Sequence, residues 1–490
     1  MKITVKNGNI KKAPRGYVRV SFTDKPKGTK RFVKERGVET LEFGIGKPEE
    51  MNLRKFRTLC RSIVNAAKAS KVRKIAIQAG DVRKLFKNLK TSTHEDLAQL
   101  AAENFEMANF EFNVFKTKPK EGWDIVEDVY IYGKSSLEVE EAIKKGQEIG
   151  KAVNACRMLA NTPGGDMTPT LLAAAARAAA RSVGAGAKIK VTVLGIKEMQ
   201  KLGMGALLGV AKGSSEEPTF TIMEYKGGKG SPASPKTSSR GGPIVLAGKG
   251  VTFDSGGLNL KSSSFIYEMH MDMSGAAAVI HAVALAARLK LKQNVIGLIP
   301  SVENMPGNNA YRPGDVLKSL SGKTIEILNT DAEGRLILAD TLTYAKRFKP
   351  SVVIDIATLT GAAHVALGNH ASALMTRDDA LAERILRDGE ASGDYVWRLP
   401  LWDEYEENVK GTFADIANAT SSGSSRGGGA INGGMFLWQF AKELGCPWAH
   451  LDIAPRMTAA PGDELAKGAA GTPVRLLIRF IEHHAIHDKN

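Results

Sequence analysis

Charged side chains gather at three places where the backbone is otherwise bare. The stretch 248–261, GKGVTFDSGGLNLK, sets Lys249, Asp254 and Lys261 among glycines and small residues just after an apolar run. NTDAEGR (329–335) carries Asp331, Glu333 and Arg335 ahead of an apolar helical stretch, LILADTLTYA. HMDMSGAAAVIHAVALAA places Asp272 where a small-residue helix begins. A glycine-lysine pair after a strand first suggests a phosphate cradle. That loop needs GxxxxGK followed by Ser or Thr, so that amides surround the phosphates. Here Gly250 follows Lys249, the spacing back to Gly242 is wrong, and strand formers lie between. The cradle is absent.

Taken singly, each acid has an ordinary role: an Asp in a D-S-G-G turn bonds its own backbone, and an Asp before a helix caps it. Four carboxylates at one edge of a sheet repel unless cations neutralise them. Two divalent ions supply four positive charges, which match Asp254, Asp272, Asp331 and Glu333. Such sites hold ions about 3.5–4 Å apart and serve phosphoryl and peptidyl hydrolysis. Ammonium groups beside two such ions are disfavoured, so one lysine could bind metal as a neutral amine. The other could stay charged and stabilise an oxyanion. Arg335 suits bidentate binding of a small oxyanion or carboxylate. There is no HExxH pair, and the histidines are dispersed; His483, His484 and His487 form a terminal cluster far from the acids. Met269, Met271 and Met273 in isolation read as core. On residues alone the pattern is a carboxylate-bridged dimetal hydrolase, with phosphoesterase and peptidase both open.

The acids need a scaffold, and the hydrophobic pattern supplies one. Up to about residue 135, strand-like runs (YVRVSF, KIAIQAG, FEFNVF, DVYIYG) alternate with helical ones, which predicts a small α/β domain over 1–135. A long helical pattern, SLEVEEAIKKGQEIGKAVNACRMLAN, predicts a connector over 136–162. Beyond it, over 163–490, continuous apolar runs (KIKVTVLG, FTIMEYKG, PIVLAGKG, VIGLIPSVE, TIEILNT, VVIDIATLTG) alternate with helices. That predicts a mixed, mostly parallel sheet flanked by helices, whose active site gathers at the carboxyl ends of its strands. The fold class is thus α/β in two domains, the second larger and catalytic. Residues 227–243, rich in Gly, Ser, Pro and positive charge, read as a surface loop.

Composition fits an ordinary globular chain of 490 residues, 43% hydrophobic and 24% charged. Cys60, Cys156 and Cys446 lie far apart and in odd number, which argues against a disulfide framework. The apolar stretch around Ala276 to Ala287 is broken by His281, and the first residues lack the apolar core of a signal peptide. A cytoplasmic protein with no membrane partner is expected. A net charge of +16 admits nucleic acid as a partner, but aromatics are only 6% and do not interleave with the basic residues.

NTDAEGRLILADTL (329–342) resembles the signature of the leucyl (cytosol) aminopeptidase family. GKGVTFDSGG, the segment from Lys261 to Asp272, NACRMLANTP, ATLTGA and HLDIAPRM are similar to the family's other motifs in order and spacing, across about residues 150–480. The resemblance implies a metal-dependent aminopeptidase that releases leucine-like N-terminal residues from peptides by a bridging-hydroxide, two-metal mechanism, with manganese or zinc as the ions. It implies that Asp254 and Glu333 bridge the ions, that Lys249 and Asp272 complete one site, and that Asp331 completes the other. Lys261 would be the electrophile, and Arg335 would hold a bicarbonate ion as general base. Met269, Thr358, Gly361, Ala454 and Met457 would line the pocket for the first side chain. A homohexamer is implied, with an additional DNA-binding role as the alternative. The chain departs from the family where Pro-Ser-Ala usually follows the electrophilic lysine: Ser262, Ser263 and Ser264 stand there, followed by Phe265, Ile266 and Tyr267.

Overall fold

Strand and helix boundaries follow local chemistry closely in the first part of the chain. Asn52 starts the helix Leu53–Ala69 by accepting from the Lys55 amide at 2.9 Å. Thr93 and Asp96 form a reciprocal capping box that starts the helix His94–Ala108. Before the first helix run β1 (Lys2–Lys6), β2 (Val18–Thr23), β3 (Lys30–Glu35) and β4 (Val38–Gly44); β5 (Lys74–Gln78) lies between the two, and β6 (Asp128–Tyr132) follows the second. They form one sheet in the order β1-β6-β5-β2-β4-β3, parallel except for the β3–β4 pair. The run FEFNVF (110–115) forms no strand; Phe110 is buried, whereas Val114 and Phe115 are exposed. The structure is a computed structural model, and it describes residues 1–85, 93–184, 189–227, 242–420 and 427–484. Most of the loop expected at 227–243 lies outside the described residues.

The helix Leu137–Ala160 carries the boundary between two compact units. The first holds Met1–Asn154 with Pro461–Lys467, and the second holds Ala155–Ala460 with Gly468–Asn490. Within the first unit, Glu464 receives Lys30 at 2.8 Å and the Asn65 amide at 3.0 Å, and Arg61 donates to the Asp463 carbonyl.

The second unit opens with β7 (Ile189–Leu194), β8 (Thr219–Tyr225), β9 (Ile244–Gly248), β10 (Gly250–Asp254) and β11 (Val295–Asn304). After the short β12 (Val316–Lys318) and β13 (Thr324–Glu326) come β14 (Val352–Ala357), β15 (Ser372–Met375), β16 (Val396–Arg398), β17 (Ile416–Ala417) and β18 (Trp448–Asp452). The main sheet runs β16-β15-β18-β14-β9-β11-β8-β7, with β10 added on β11. Strands β18, β14, β9, β11 and β10 are mutually parallel, so their carboxyl ends share one edge. The pairs β7–β8, β8–β11 and β15–β18 are antiparallel, and β16 runs parallel to β15.

One expectation changes here. TIEILNT does not join the main sheet; β13 pairs with β12 and β17 in a separate three-stranded sheet. A short apolar run shows that a strand is buried but not which strand it meets. Met269–Arg288, the stretch among the described residues long and apolar enough to cross a membrane, is instead mostly buried. Its helix, Ser274–Arg288, packs on β9 and β11 with almost every residue in the core.

Candidate metal centre

Lys249 follows β9, Asp254 ends β10, and Asp272 follows the 3-10 turn Met269–Met271. Glu333 opens the helix Glu333–Ala345, and Asp331 lies in the turn before it. Carboxylate oxygens of Asp254, Asp272 and Glu333 all lie within 4.8 Å of one another, and all three residues are buried. The four acids and two lysines expected from sequence therefore meet, although only Asp254 comes from the end of a main-sheet strand.

Two glycines make the turn possible. Gly256 and Gly257 have φ of +87° and +62°, the left-handed region that side chains disfavour. A Cβ on Gly256 would also stand 2.4 Å from the Asn259 carbonyl, and one on Gly257 would stand 2.9 Å from Asn304 Oδ1.

Lys249 is sealed in, 3% exposed, with Nζ 2.8 Å from Asp272 Oδ2, 2.7 Å from Glu333 Oε1 and 2.8 Å from the Thr358 carbonyl. Lys261 lies nearer solvent, 15% exposed, with Nζ 2.8 Å from Asp254 Oδ2 and in contact with Asp331. Burial by itself would lower both lysines, but the facing carboxylates outweigh it and hold both well above their ordinary value. Glu333 is likewise pushed up by burial, yet Lys249 and Lys261 bring it below the usual carboxylate range. Asp254 and Asp272 stay raised, first by burial and then by neighbouring acids, chiefly Glu333. Burial, Asp254 and Glu333 lift Asp331 to about 6. Two ammonium groups thus leave four acids under-neutralised.

Sequence reasoning missed the groups that hold these acids. Asn304, at the end of β11, donates from Nδ2 to Asp254 Oδ1 at 2.8 Å and to the Thr330 carbonyl at 2.9 Å. Thr358 donates to Asp272 Oδ1 at 2.6 Å. Asn418 receives the Leu328 amide and offers its own carbonyl to Arg335 Nη1 at 2.7 Å. The strand-end rule would have found Asn304, had uncharged polar residues been included in it. Arg335 is buried, which lowers it to about 10 against the pull of Glu333 and Asp452, and its Nε has no hydrogen-bond partner among the described residues.

The five positions that the resemblance assigns to a pocket come from three segments. Met269 opens the turn before Asp272, Thr358 and Gly361 follow β14, and Ala454 and Met457 follow β18. The helix Gly361–Leu367 packs on the turn Ala454–Arg456.

An α/β architecture with buried acids and lysines at one sheet edge can be compared with known proteins. Residues 154–478 match the catalytic domain of the cytosol aminopeptidase family, and residues 41–119 match that family's N-terminal domain. The chain belongs to the cytosol aminopeptidase family, as its motifs implied, and it is an aminopeptidase. It is 44% identical to a probable cytosol aminopeptidase of Azoarcus sp. (strain BH72) over 441 residues, 90% of this chain and 84% of that one. A probable cytosol aminopeptidase of Methylobacillus flagellatus is 42% identical over 91% of this chain and 85% of its own length. Among solved structures, the bottromycin maturation enzyme BotP in complex with Mn superposes with TM-score 0.82 at 31% identity, covering 96% of this chain and 99% of that one. A mutant of tomato leucine aminopeptidase gives 0.84 at 28% identity, over 99% and 96%.

Proposed function

We propose that the chain is a metal-dependent aminopeptidase that removes leucine-like N-terminal residues from peptides. One observation carries the metal assignment: among the described residues, Asp272 Oδ2 and Glu333 Oε1 are buried and accept no well-aligned hydrogen bond, with the Lys249 ammonium 2.8 and 2.7 Å away. Lone pairs buried in this state suit a cation. The donor set of three buried carboxylates, Asp331 and an amine fits two divalent ions, manganese or zinc, held by Lys249, Asp254, Asp272, Asp331 and Glu333. Bound there, such ions supply Lewis acidity toward the peptide carbonyl and lower the pKa of attacking water.

The protein's own groups divide the remaining work. Facing carboxylates hold Lys249 protonated, and metal charge at the same acids would oppose that and favour the neutral amine, whose lone pair could then serve as a ligand. Lys261, nearer solvent and held charged by Asp254 and Asp331, would stabilise the oxyanion that forms on the substrate carbonyl. Arg335, whose buried Nε is unpartnered, would hold a bicarbonate ion, which supplies a proton acceptor beside the reaction. Met269, Thr358, Gly361, Ala454 and Met457 would enclose an apolar side chain. The same resemblance carries a homohexamer and a cytoplasmic location. A DNA-binding role rests on net charge alone.

Hydrolysis of a free and an N-acetylated leucyl peptide, before and after chelation, tests this reading. Cleavage of the free peptide alone, abolished by chelator and restored by manganese or zinc, is expected. Equal cleavage of both peptides, or full activity without metal, would sink it.

A further inference from the structure

The motif HLDIAPRM contains an acid that no role above uses. Asp452 ends β18 with no exposed surface, and it touches neither the acids of the cluster nor Lys249 or Lys261. Its Oδ1 accepts from the Leu359 amide at 3.0 Å and from the Ala454 amide at 3.1 Å. Its Oδ2 accepts from the Thr360 hydroxyl at 2.6 Å. The direction of that last bond follows from Thr360 Oγ1 itself accepting from the Ala363 amide at 3.1 Å, which leaves its proton for Asp452. One side chain therefore joins the turn after β14 to the turn after β18. In the register of the two strands, Ala357 pairs with Asp452, and Ile453 donates back to the Ala357 carbonyl at 2.8 Å. Four of the five pocket positions, Thr358, Gly361, Ala454 and Met457, lie within five residues of Asp452 or its three hydrogen-bond partners.

We propose that Asp452 is a positioning residue that sets selectivity for the substrate's first side chain, by locking the 358–361 and 454–457 walls of the pocket against each other. The assignment rests on the apolar-pocket reading above. A buried acceptor with three donors cannot be removed without stranding them, and the freed turns would shift by the small distances that destroy a fitted pocket. Asp254 and Glu333 are held by other groups, Asn304 and the two lysines, whereas Thr358 ties Asp272 and Lys249 to the 358–361 wall, so metal affinity must be read beside selectivity. Thr360 is the exchangeable half: valine keeps its shape and removes only the hydroxyl.

Steady-state hydrolysis of a leucyl and a glycyl amide by the manganese-loaded enzyme tests the proposal. Asp452→Ala is expected to lower kcat/KM about 30-fold for the leucyl amide and less than about threefold for the glycyl amide, which has no side chain to seat. Thr360→Val should give the same pattern at about fivefold. Asp452→Asn, which keeps an oxygen for both amides, should recover most of the lost leucyl preference. Manganese affinity of each variant, measured by calorimetry, should stay within about threefold of wild type. The proposal is overturned by an unchanged leucyl-to-glycyl ratio in folded Asp452→Ala and Thr360→Val. An Asp452→Asn no better than the alanine variant also overturns it, as does manganese affinity falling in step with kcat/KM. If Asp452→Ala does not fold, Thr360→Val decides alone. A wild-type enzyme without leucyl preference would instead sink the apolar-pocket reading.

Discussion

One helix, Glu333–Ala345, buries two acids in opposite ways. Glu333, at its first position, is 1% exposed and faces the Lys249 ammonium; with Lys261 nearby, it falls below the usual carboxylate range. Asp340, seven residues on, is wholly buried and meets no cation. Its Oδ2 accepts the Leu207 amide at 2.9 Å and its Oδ1 the Leu320 amide at 2.7 Å. Burial lifts Asp340 to about 7, against the lowering effect of those amides. Both residues fall within the signature NTDAEGRLILADTL, so burial and motif do not separate them. The company of cations does: Glu333 belongs to a charge cluster built for exchange of partners, whereas Asp340 ties two backbone segments to the helix and has nothing to exchange.

That contrast can be broken by substitution. Glu333→Ala is expected to abolish metal retention and to lower kcat/KM by about a thousandfold or more, read by metal analysis and peptide hydrolysis. If Asp340→Asn does the same, the two acids are not different in kind. Lys261→Ala should lower kcat about 10²–10³-fold while metal content stays at wild-type level. Loss of metal there would make Lys261 a scaffold of the cluster rather than an electrophile.

Smaller effects sharpen the other side. Asp340→Asn has a single acceptor oxygen for two buried amides, so a guanidinium titration should show a loss of about 1–3 kcal/mol with metal content unchanged. The pH dependence has a definite sign. Since the folded pKa of Asp340 lies above its unfolded value, its contribution is complete below about pH 4 and is lost as pH rises through about 7. The wild-type advantage over Asp340→Asn should therefore shrink between about pH 4 and pH 7, by at most about 1.4 kcal/mol per pH unit. A difference that is flat in pH would mean that Asp340 titrates alike in the folded and unfolded chains.

Much of the site was legible because the residues that do chemistry are costly to place without reason. Lysines and acids beside glycines, after apolar runs, announced both the strand ends and the cluster. Two things were not legible. The pattern places β13 in the main sheet, but pairing is decided by its partners, the neighbouring hairpin strand Val316–Lys318 and the distant Ile416–Ala417. Asn304, Thr358 and Asp452 act through hydrogen bonds made only after folding. Their side chains are common at turns, so type and spacing alone gave Asn304 and Asp452 no distinction and marked Thr358 only through the family's pocket.

The short segment Pro461–Lys467 has a consequence for how the molecule is made. It belongs to the first compact unit although the whole body of the second is encoded before it. The first unit is thus not a prefix of the chain. During synthesis Lys30, Arg61 and Asn65 emerge before the second unit, but Asp463 and Glu464, which they bind, emerge only after most of it. A fragment ending at Asn154 would present those donors to water, and no single cut in the chain separates one unit from the other.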